Sequence, residues 1–195
     1  MVRNFLSFLL VFGFSFTSLP AQDTVEPPEA NIFIDDFESL QNDRELRQNY
    51  TTWEDGALIE ASLTREFFHS GEKAIRVEMK GINPTNESTN GSLYHTLNSW
   101  QNNWNGGTGL RFWIKNDADE PLLLNFNFKE KYNEYWAIAQ QGIFYFEDET
   151  GNLVQQDIYY SNLLIPGGYE GKVMIPFSSF EVPDWNTARG DETMN

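Results

Sequence analysis

The sequence predicts an all-β sandwich of antiparallel sheets, and three observations carry that prediction. Apolar and polar residues alternate along short segments, most clearly in "GLRFWIKN", where Leu110, Phe112 and Ile114 share one face. Turn-forming Gly, Asn, Ser and Pro separate these segments about every 8 to 15 residues, a spacing typical of sandwiches. Helical periodicity is scarce, and "DRELRQNY" at 43–50 is the only modest helix candidate.

Nine segments have the composition and the alternation of β-strands. The run at 121–130 illustrates the rule, because Leu122 and Leu124 fall on one face while Asn125 and Asn127 fall on the other. In chain order the predicted strands are 31–38, 57–67, 73–81, 91–97, 108–116, 121–130, 135–148, 153–160 and 169–180.

The chain divides into a leader, a linker and one domain. Residues 1–21 carry one positive charge, then a Leu/Phe/Val run, and end at Ala21, which is the layout of a cleavable secretory signal peptide. A membrane anchor is the alternative, but the apolar run is short for a spanning helix. Residues 22–30 are polar with two prolines and predict a linker. Residues 31–195 form the predicted sandwich domain, so we expect a secreted protein, extracellular or periplasmic.

The composition argues against several classes of partner. The chain has 13 Lys and Arg against 29 Asp and Glu, a formal charge of -16. Removal of the leader takes away Arg3 alone, which leaves 12 basic and 29 acidic residues and a charge of -17. Such a surface repels phosphate backbones, so we expect no nucleic-acid partner and, after cleavage of the leader, no anionic membrane partner. The absence of cysteine rules out disulfides and Cys-ligated zinc.

Acidic residues crowd the first predicted strand, "FIDDFES" at 33–39. In an extended strand Phe37 points toward the core, so Asp36 and Glu38 fall together on the opposite side. Two carboxylates at this spacing suit Ca²⁺, which takes six to eight oxygen ligands and accepts backbone carbonyls. A Ser-Gly turn before the strand at 73–81 offers such carbonyls. The alternative is two solvated acids beside a turn.

Aromatic, amide and basic residues on the polar faces of the middle strands indicate a sugar-binding surface. Sugars offer apolar C–H faces to aromatic rings and hydroxyls to amides, carboxylates and Arg. The loop tryptophans Trp100 and Trp104 are a stacking platform or, as the alternative, a lid over one end of the core. The candidate ligand-binding residues are Arg111, Trp113, Asn125, Asn127, Trp100, Trp104 and Tyr135.

Four motifs in this order resemble one family of proteins. They are "IDDFES", "HSGEKAIRVEM", "GLRFWIKND" and "GKVMIPFSSFEVPDW". Together they resemble the carbohydrate-binding modules of the galactose-binding-like β-jelly-roll type, with family 11 modules and their relatives as the nearest fit. The resemblance covers about residues 31–186. It implies a jelly roll that binds glycan chains along a concave sheet, which here carries Arg111, Trp113, Asn125 and Asn127.

The resemblance also implies a structural calcium ion and two further strands. The ion is expected on Asp36 and Glu38, with main-chain oxygens of Ser70 and Lys73. Modules of this kind continue past the "IPFSSF" strand with an apolar strand and an Asp-containing strand, whereas this sequence continues with the polar stretch "NTARGDETMN". We therefore expect a jelly roll that lacks its last one or two strands, and a chain that is C-terminally truncated, with a catalytic domain downstream as one expectation.

The function predicted from these observations is non-catalytic binding of a polysaccharide or oligosaccharide, associated with a glycoside hydrolase. One alternative is a structural or assembly module that packs on another domain and exposes an apolar patch. A second alternative is a small glycanase that uses Glu147, Asp148 and Glu149, although this cluster reads as a charged hairpin tip. The sequence contains none of the common hydrolase, phosphate-loop or zinc-protease motifs.

Overall fold

The structure is a computed structural model that describes residues 6–11, 34–81, 90–97, 101, 104, 106–129 and 135–186. Within these residues lie fourteen strands, one α-helix and one 3-10 helix. The elements are β1 (Leu6–Val11), α1 (Asp43–Asn49), β2 (Tyr50–Asp55), β3 (Ala57–Thr64), β4 (Ala74–Gly81), β5 (Asn90–His95), β6 (Gly109–Asn116), β7 (Leu122–Leu124), β8 (Asn127–Lys129), β9 (Tyr135–Ile138), β10 (Ile143–Glu147), β11 (Leu153–Asp157), β12 (Leu163–Ile165), β13 (Glu170–Pro176), the 3-10 helix (Phe177–Ser179) and β14 (Phe180–Glu181).

One large sheet and three small ones organise the described strands. The large sheet has seven strands in the order β11-β10-β13-β6-β1-β4-β3. The small sheets are β12-β7, β14-β9-β8 and β2-β5. Neighbouring strands in all four sheets run antiparallel. The prediction of an all-β protein with antiparallel sheets is therefore confirmed, and the arrangement is sandwich-like.

The main core lies between the large sheet and the small sheets β12-β7 and β14-β9-β8. Phe112 and Ile114 of β6 are fully buried there, together with Val173 of β13 and Phe144 of β10. The small sheets contribute the opposing side chains, which are Leu122, Ile138, Leu163, Ile165 and Phe180. Burial of a side chain of this size contributes roughly 1.5–3 kcal/mol, so this packing fixes which face of each small sheet is left in water.

A second core joins α1 to the other end of the large sheet. Asn42 caps the helix by accepting hydrogen bonds from the backbone N–H groups of Arg44 and Glu45. The helix buries Leu46 against Phe37, and Ile75 of β4 belongs to the same cluster. The helix predicted at 43–50 is thus present and anchors the segment that precedes it.

The predicted faces of two middle strands are found, but one strand is divided. Leu110, Phe112 and Ile114 face the core as predicted. The run predicted as a single strand at 121–130 forms β7 and β8 in two different sheets. The break falls at Asn125 and Phe126, where the Phe126 ring packs on Phe112 at 4.9 Å between centroids. The alternation of buried and exposed residues continues through the break because both strands cover the same core.

Residues 34–38, the described part of the first predicted strand, form no strand and lead into a turn, so that prediction was wrong there; residues 31–33 lie outside the described residues. The Asp35 carboxylate accepts a hydrogen bond from the backbone N–H of Phe37 at 2.7 Å. The Asp36 carboxylate accepts one from the N–H of Glu38 at 3.0 Å. Such short-range bonds from Asp side chains favour turns over strands. Phe37, with φ of 63°, remains fully buried.

Strand β1 lies inside the segment predicted to be a leader. It is hydrogen-bonded between β4 and β6 in the large sheet. A chain cleaved after Ala21 would lack this strand, and the cleavage itself stays a prediction. In the described part of the chain, the helices are too short or too polar to cross a bilayer.

Replacing Phe112 by Ala should lower the free energy of unfolding by about 3–5 kcal/mol, because it leaves a cavity in the main core. Chemical denaturation of the purified protein measures this. The matched control is Leu123→Ala, since Leu123 is 51% exposed on the outer face of β7, and we expect a change below about 0.5 kcal/mol. Equal losses in the two variants would contradict the described packing.

Candidate functional site

The small sheet β14-β9-β8 packs one face against the main core and leaves its other, polar face exposed. Ile138 and Phe180 pair across β9 and β14 and point inward. The next row of paired residues, Asn127, Ala137 and Glu181, lies on the outer face. Alternation along each strand therefore delivers an amide and a carboxylate to the same patch of surface.

This outer face forms the floor of a cleft of about 720 Å³. The volume is in the range of pockets that hold small ligands. Polar side chains dominate the lining, which includes four carboxamides and two carboxylates: Asn125, Asn127, Gln140, Gln141, Glu181 and Asp184. Amides both donate and accept hydrogen bonds, and carboxylates accept them. The cleft is thus equipped for a ligand with many hydroxyl groups.

An aromatic pair stands beside the polar floor. Trp185 lines the cleft and is 64% exposed. Its ring contacts Tyr135 of β9, with the centroids 5.3 Å apart and the planes tilted by 59°. The Lys129 ammonium lies 5.3 Å from the centroid of the same Tyr135 ring. Tyr135 therefore supports Trp185 from one side and leaves much of the indole available to a ligand.

A strained turn carries a second exposed aromatic pair next to the cleft. Tyr160 and Ser161 have φ of 46° and 60°, a region that residues other than glycine rarely adopt. Asn162 donates a hydrogen bond to the Tyr160 carbonyl at 2.6 Å, and the Asn125 side chain donates one to the Ser161 carbonyl. Tyr160 is 75% exposed and meets Tyr159 edge to face at 4.7 Å. Backbone strain of this kind is common at functional sites. The hydrogen bond from Asn125 connects this strained turn to the cleft.

Asn125, Asn127 and Tyr135 are brought together in this region, but Arg111 and Trp113 are not. Asn125 and Asn127 line the cleft, and Tyr135 supports it. Arg111 and Trp113 belong to β6 in the large sheet, on the face away from the core. The expectation of one groove shared by these residues is corrected, because β6 and β8 lie in different layers.

The segment before β4 covers the Trp113 ring. His69 stacks on it with centroids 5.6 Å apart and planes at 14°, and Phe67 packs against the same cluster. Trp113 is only 6% exposed as a result. Burial, with repulsion from Lys172, lowers the pKa of His69, so the stacked imidazole is neutral at pH 7. The ring predicted to stack on sugar is already stacked within the protein.

Trp104 closes the main core, as the lid interpretation expected. It is 6% exposed, and its indole N–H donates a hydrogen bond to the Gln101 carbonyl at 2.7 Å. Its ring stacks on Phe177 at 5.5 Å and meets the edge of Phe128 at 4.8 Å. Trp100 lies outside the described residues.

Two of the three acids of the glycanase alternative, Glu147 and Asp148, are engaged in structural contacts, and Glu149 is exposed at the hairpin tip. The Glu147 carboxylate lies 2.8 Å from the Lys172 ammonium and 3.6 Å from the Arg111 guanidinium, with 12% of the side chain exposed. Asp148 caps the hairpin turn, and its hydrogen bonds from Thr150 and then Asn152 lower the pKa of its carboxyl. A general acid needs the opposite shift. This geometry therefore favours a hairpin tip over an acid–base pair.

Two of the four residues predicted to bind calcium, Glu38 and Lys73, meet through hydrogen bonds. One Glu38 carboxylate oxygen accepts hydrogen bonds from the N–H groups of Glu72 and Lys73 at 2.6 and 2.7 Å. The Lys73 ammonium, 7% exposed, donates to the carbonyls of Glu38 and Leu40 at 2.9 and 2.7 Å. A side chain on Gly71, with φ of 74°, would collide with the Glu38 carboxylate.

The Lys73 ammonium is bonded to the main chain of Glu38, and a buried ammonium repels a second cation, so the arrangement disfavours a calcium ion beside Glu38. Asp36 is bonded to its own turn, and Ser70 is exposed in the loop before Gly71. Among the described residues, no group of three or more Asp, Glu or His side chains is placed to hold a metal. Calcium here stays a prediction from the resemblance, while the direct bonds link the turns at 34–40 and 70–73.

Sequence reasoning missed several residues of the cleft. Gln140 and Gln141 sit in a run predicted as one strand, where they mark the turn between β9 and β10. Glu181, Asp184 and Trp185 follow the last long strand. The signal was present in "FEVPDW", where a carboxylate pair and a tryptophan flank a proline, but nothing local indicates that this stretch pairs with β9.

Comparison with known proteins adds no assignment. No protein-family model matches the chain, and no curated protein matches it either. The functional argument therefore rests on the cleft itself and on the motifs that resemble carbohydrate-binding modules.

Replacing Lys73 by Met should lower the free energy of unfolding by about 1–3 kcal/mol, because two carbonyls lose their buried donor. Arg65→Met removes the same charge from the same segment but only disrupts an exposed ion pair with Glu72, which is worth about 0–1 kcal/mol. Chemical denaturation of both variants measures the difference. Equal effects would show that the ammonium does not link the two turns.

Thermal denaturation of the unmodified chain tests whether calcium stabilises the fold. If the direct bonds of Glu38 and Lys73 link the turns without a metal, millimolar CaCl₂ or excess EDTA should shift the melting temperature of the unmodified chain by less than about 1 °C, since a ligand stabilises only by binding the folded state. A calcium-dependent rise that disappears in Glu38→Gln would establish the metal site predicted from the resemblance.

Proposed function

We propose that this protein binds a neutral polysaccharide or oligosaccharide in the cleft on β14-β9-β8, without catalysing a reaction on it. The observation that carries the proposal is the combination of four carboxamides, two carboxylates and an exposed Trp185 around one cleft of about 720 Å³. This combination matches the two chemical faces of a sugar ring.

The hydroxyl groups of a sugar need partners that both donate and accept. Asn127 and Gln141 supply planar amides with both functions, and Glu181 supplies a strong acceptor. The apolar C–H face of a pyranose needs a flat apolar surface, which Trp185 offers. Tyr135 holds that indole from the side, so less conformational freedom is lost when a ligand stacks on it.

The charge of the cleft favours neutral over acidic sugars. Glu181 and Asp184 line it, and the described lining residues include no Lys or Arg. The chain as a whole carries -16. A polyuronate would meet like charges at the floor of the cleft and across the approaching surface.

The resemblance to carbohydrate-binding modules supports the wider setting of this proposal. By this resemblance, the fold is a galactose-binding-like jelly roll that lacks its last strands. The leader directs export of the protein. The module binds the substrate of a glycoside hydrolase that belongs to the same polypeptide or to a partner. Calcium is left out of the proposal because the Glu38 carboxylate and the Lys73 ammonium already make direct bonds between the turns at 34–40 and 70–73.

Replacing Trp185 by Ala should weaken glycan binding at least about tenfold, since exposed aromatic anchors carry much of the affinity of such sites. Trp53→Ala is the matched control, because Trp53 is 49% exposed on β2 and does not line the cleft. Isothermal calorimetry against a panel of soluble neutral glucans, xylans and mannans measures both. Unchanged binding in Trp185→Ala, or an equal loss in Trp53→Ala, would contradict the assignment.

Neutralising both carboxylates with Glu181→Gln and Asp184→Asn should raise binding of polygalacturonate relative to neutral glycans, because the repulsion in the cleft disappears. Affinity electrophoresis at low salt, where charge effects are largest, compares the two ligand classes. The control is Glu60→Gln with Asp157→Asn, which removes two charges from β3 and β11 outside the cleft. A preference of the unmodified chain for polygalacturonate would refute the neutral-ligand part of the proposal.

A further inference from the structure

The turn between β11 and β12 is a two-residue hairpin turn with an unusual sequence. Tyr159 and Asn162 exchange two backbone hydrogen bonds, at 2.8 and 3.0 Å, and Tyr160 and Ser161 lie between them with φ of 46° and 60°. Turns with positive φ at both central positions favour Asn-Gly, Asp-Gly or Gly-Gly, because larger side chains strain the backbone there. The chain therefore places a large aromatic residue at a position that disfavours it.

Core packing does not account for this residue. Tyr160 is 75% exposed and Tyr159 is 54% exposed, so neither ring belongs to a core. The two rings meet edge to face, with their centroids 4.7 Å apart. The ring at the tip of the turn is thus presented to solvent on a strained backbone, a combination that is common at functional sites.

Two side-chain amides hold the turn beside the cleft. Asn162 donates a hydrogen bond to the Tyr160 carbonyl at 2.6 Å, and the Asn125 side chain donates one to the Ser161 carbonyl. Asn125 and Ser161 both line the cleft. Tyr160, which precedes Ser161 in the turn, therefore stands at the rim of the cleft that Trp185 also lines.

Trp185 and the turn lie at opposite ends of the polar floor. Trp185 contacts Tyr135, which pairs with Lys129 at one end of β8 and β9. The turn is bonded to Asn125, two residues before the start of β8. The four steps from Lys129 to Asn125 cover roughly 13 Å at about 3.3 Å per residue, which is longer than one pyranose ring. A ligand that contacts both ends must therefore contain more than one ring.

We propose that Tyr160 is a second aromatic platform, so that the cleft binds a linear chain of several sugar rings rather than a single sugar. One ring stacks on Trp185, a further ring stacks on Tyr160, and the rings between them bond to the amides and carboxylates of the floor. This inference rests on the proposed function, because it assigns the length of the ligand in the same cleft. The two amide bonds fix the turn before the ligand arrives, so less conformational freedom is lost on binding.

The test measures affinity as a function of ligand length. The probes are gluco-, xylo- and manno-oligosaccharides of one to six units, titrated by isothermal calorimetry into the full chain. In the series that binds, the affinity of the unmodified chain should rise with length and then level off. Trp185→Ala should weaken binding at every length. Tyr160→Asn should leave the shortest ligands unaffected and weaken the longest at least about fivefold, since it removes one of the two aromatic anchors.

Three measurements separate stacking on Tyr160 from a structural role. Tyr160→Phe retains the ring and should retain the full dependence on length. Tyr94→Asn removes a ring that is 53% exposed on β5, outside the cleft, and should change nothing. The melting temperature of Tyr160→Asn should equal or exceed that of the unmodified chain, because Asn adopts positive φ more readily than Tyr.

The possible failures are distinguishable. An unchanged length dependence in Tyr160→Asn, with binding still lost in Trp185→Ala, would overturn the second platform and leave the proposed function intact. An equal loss at every length in Tyr160→Asn, or a lower melting temperature, would overturn it too, because the ring would then shape or stabilise the cleft instead of binding a distant sugar. Absence of binding by the unmodified chain in all three series would overturn the proposed function and this inference together.

Discussion

The structure depends on the burial of one face of each short strand against the large sheet. Phe112 and Ile114 form the floor of the main core, and the strands β8, β9 and β14 are held in place by the side chains that cover it. Since a strand presents alternate residues to opposite sides, burying Ile138 and Phe180 forces Ala137 and Glu181 outward. The polar cleft is thus a direct consequence of core packing.

The other face of the large sheet carries Arg111 and Trp113, which the sequence predicted to bind sugar, but Trp113 is covered by a segment of the protein itself. The segment from Arg65 to Lys73 folds over it, with His69 on Trp113 and the Lys115 ammonium 4.1 Å from the centre of the Phe67 ring. The bonds of Glu38 and Lys73 fasten the end of that segment to the turn at 34–40. Aromatic and basic residues that match a sugar are equally suited to hold a covering loop, and here they do so.

The sequence predicts the two faces of the middle strands well, because alternation is local. It places Asn127 correctly on the outer face of β8 and Asn125, at the break before it, on the same exposed side. It also offers the lid as one alternative for Trp104. It does not predict that β6 and β8 enter different layers, since the pairing of strands far apart in sequence depends on packing across the whole core. Asp35 and Asp36 also mislead, because their carboxylates bind backbone N–H groups two residues ahead. The pairing of the "FEVPDW" stretch with β9 also joins residues far apart in sequence, so local patterns do not reveal it.

The central claim is that ligand binds at the cleft and not on the face that carries Trp113. Nuclear magnetic resonance during titration with a soluble neutral oligosaccharide tests it most directly. The account predicts shifts of the side-chain amide signals of Asn127, Gln140 and Gln141 and of the Trp185 indole N–H, with the Trp53 and Trp113 indole signals unmoved. Shifts confined to Trp113 and its neighbours on the large sheet, or no shift with any neutral glycan, would contradict it.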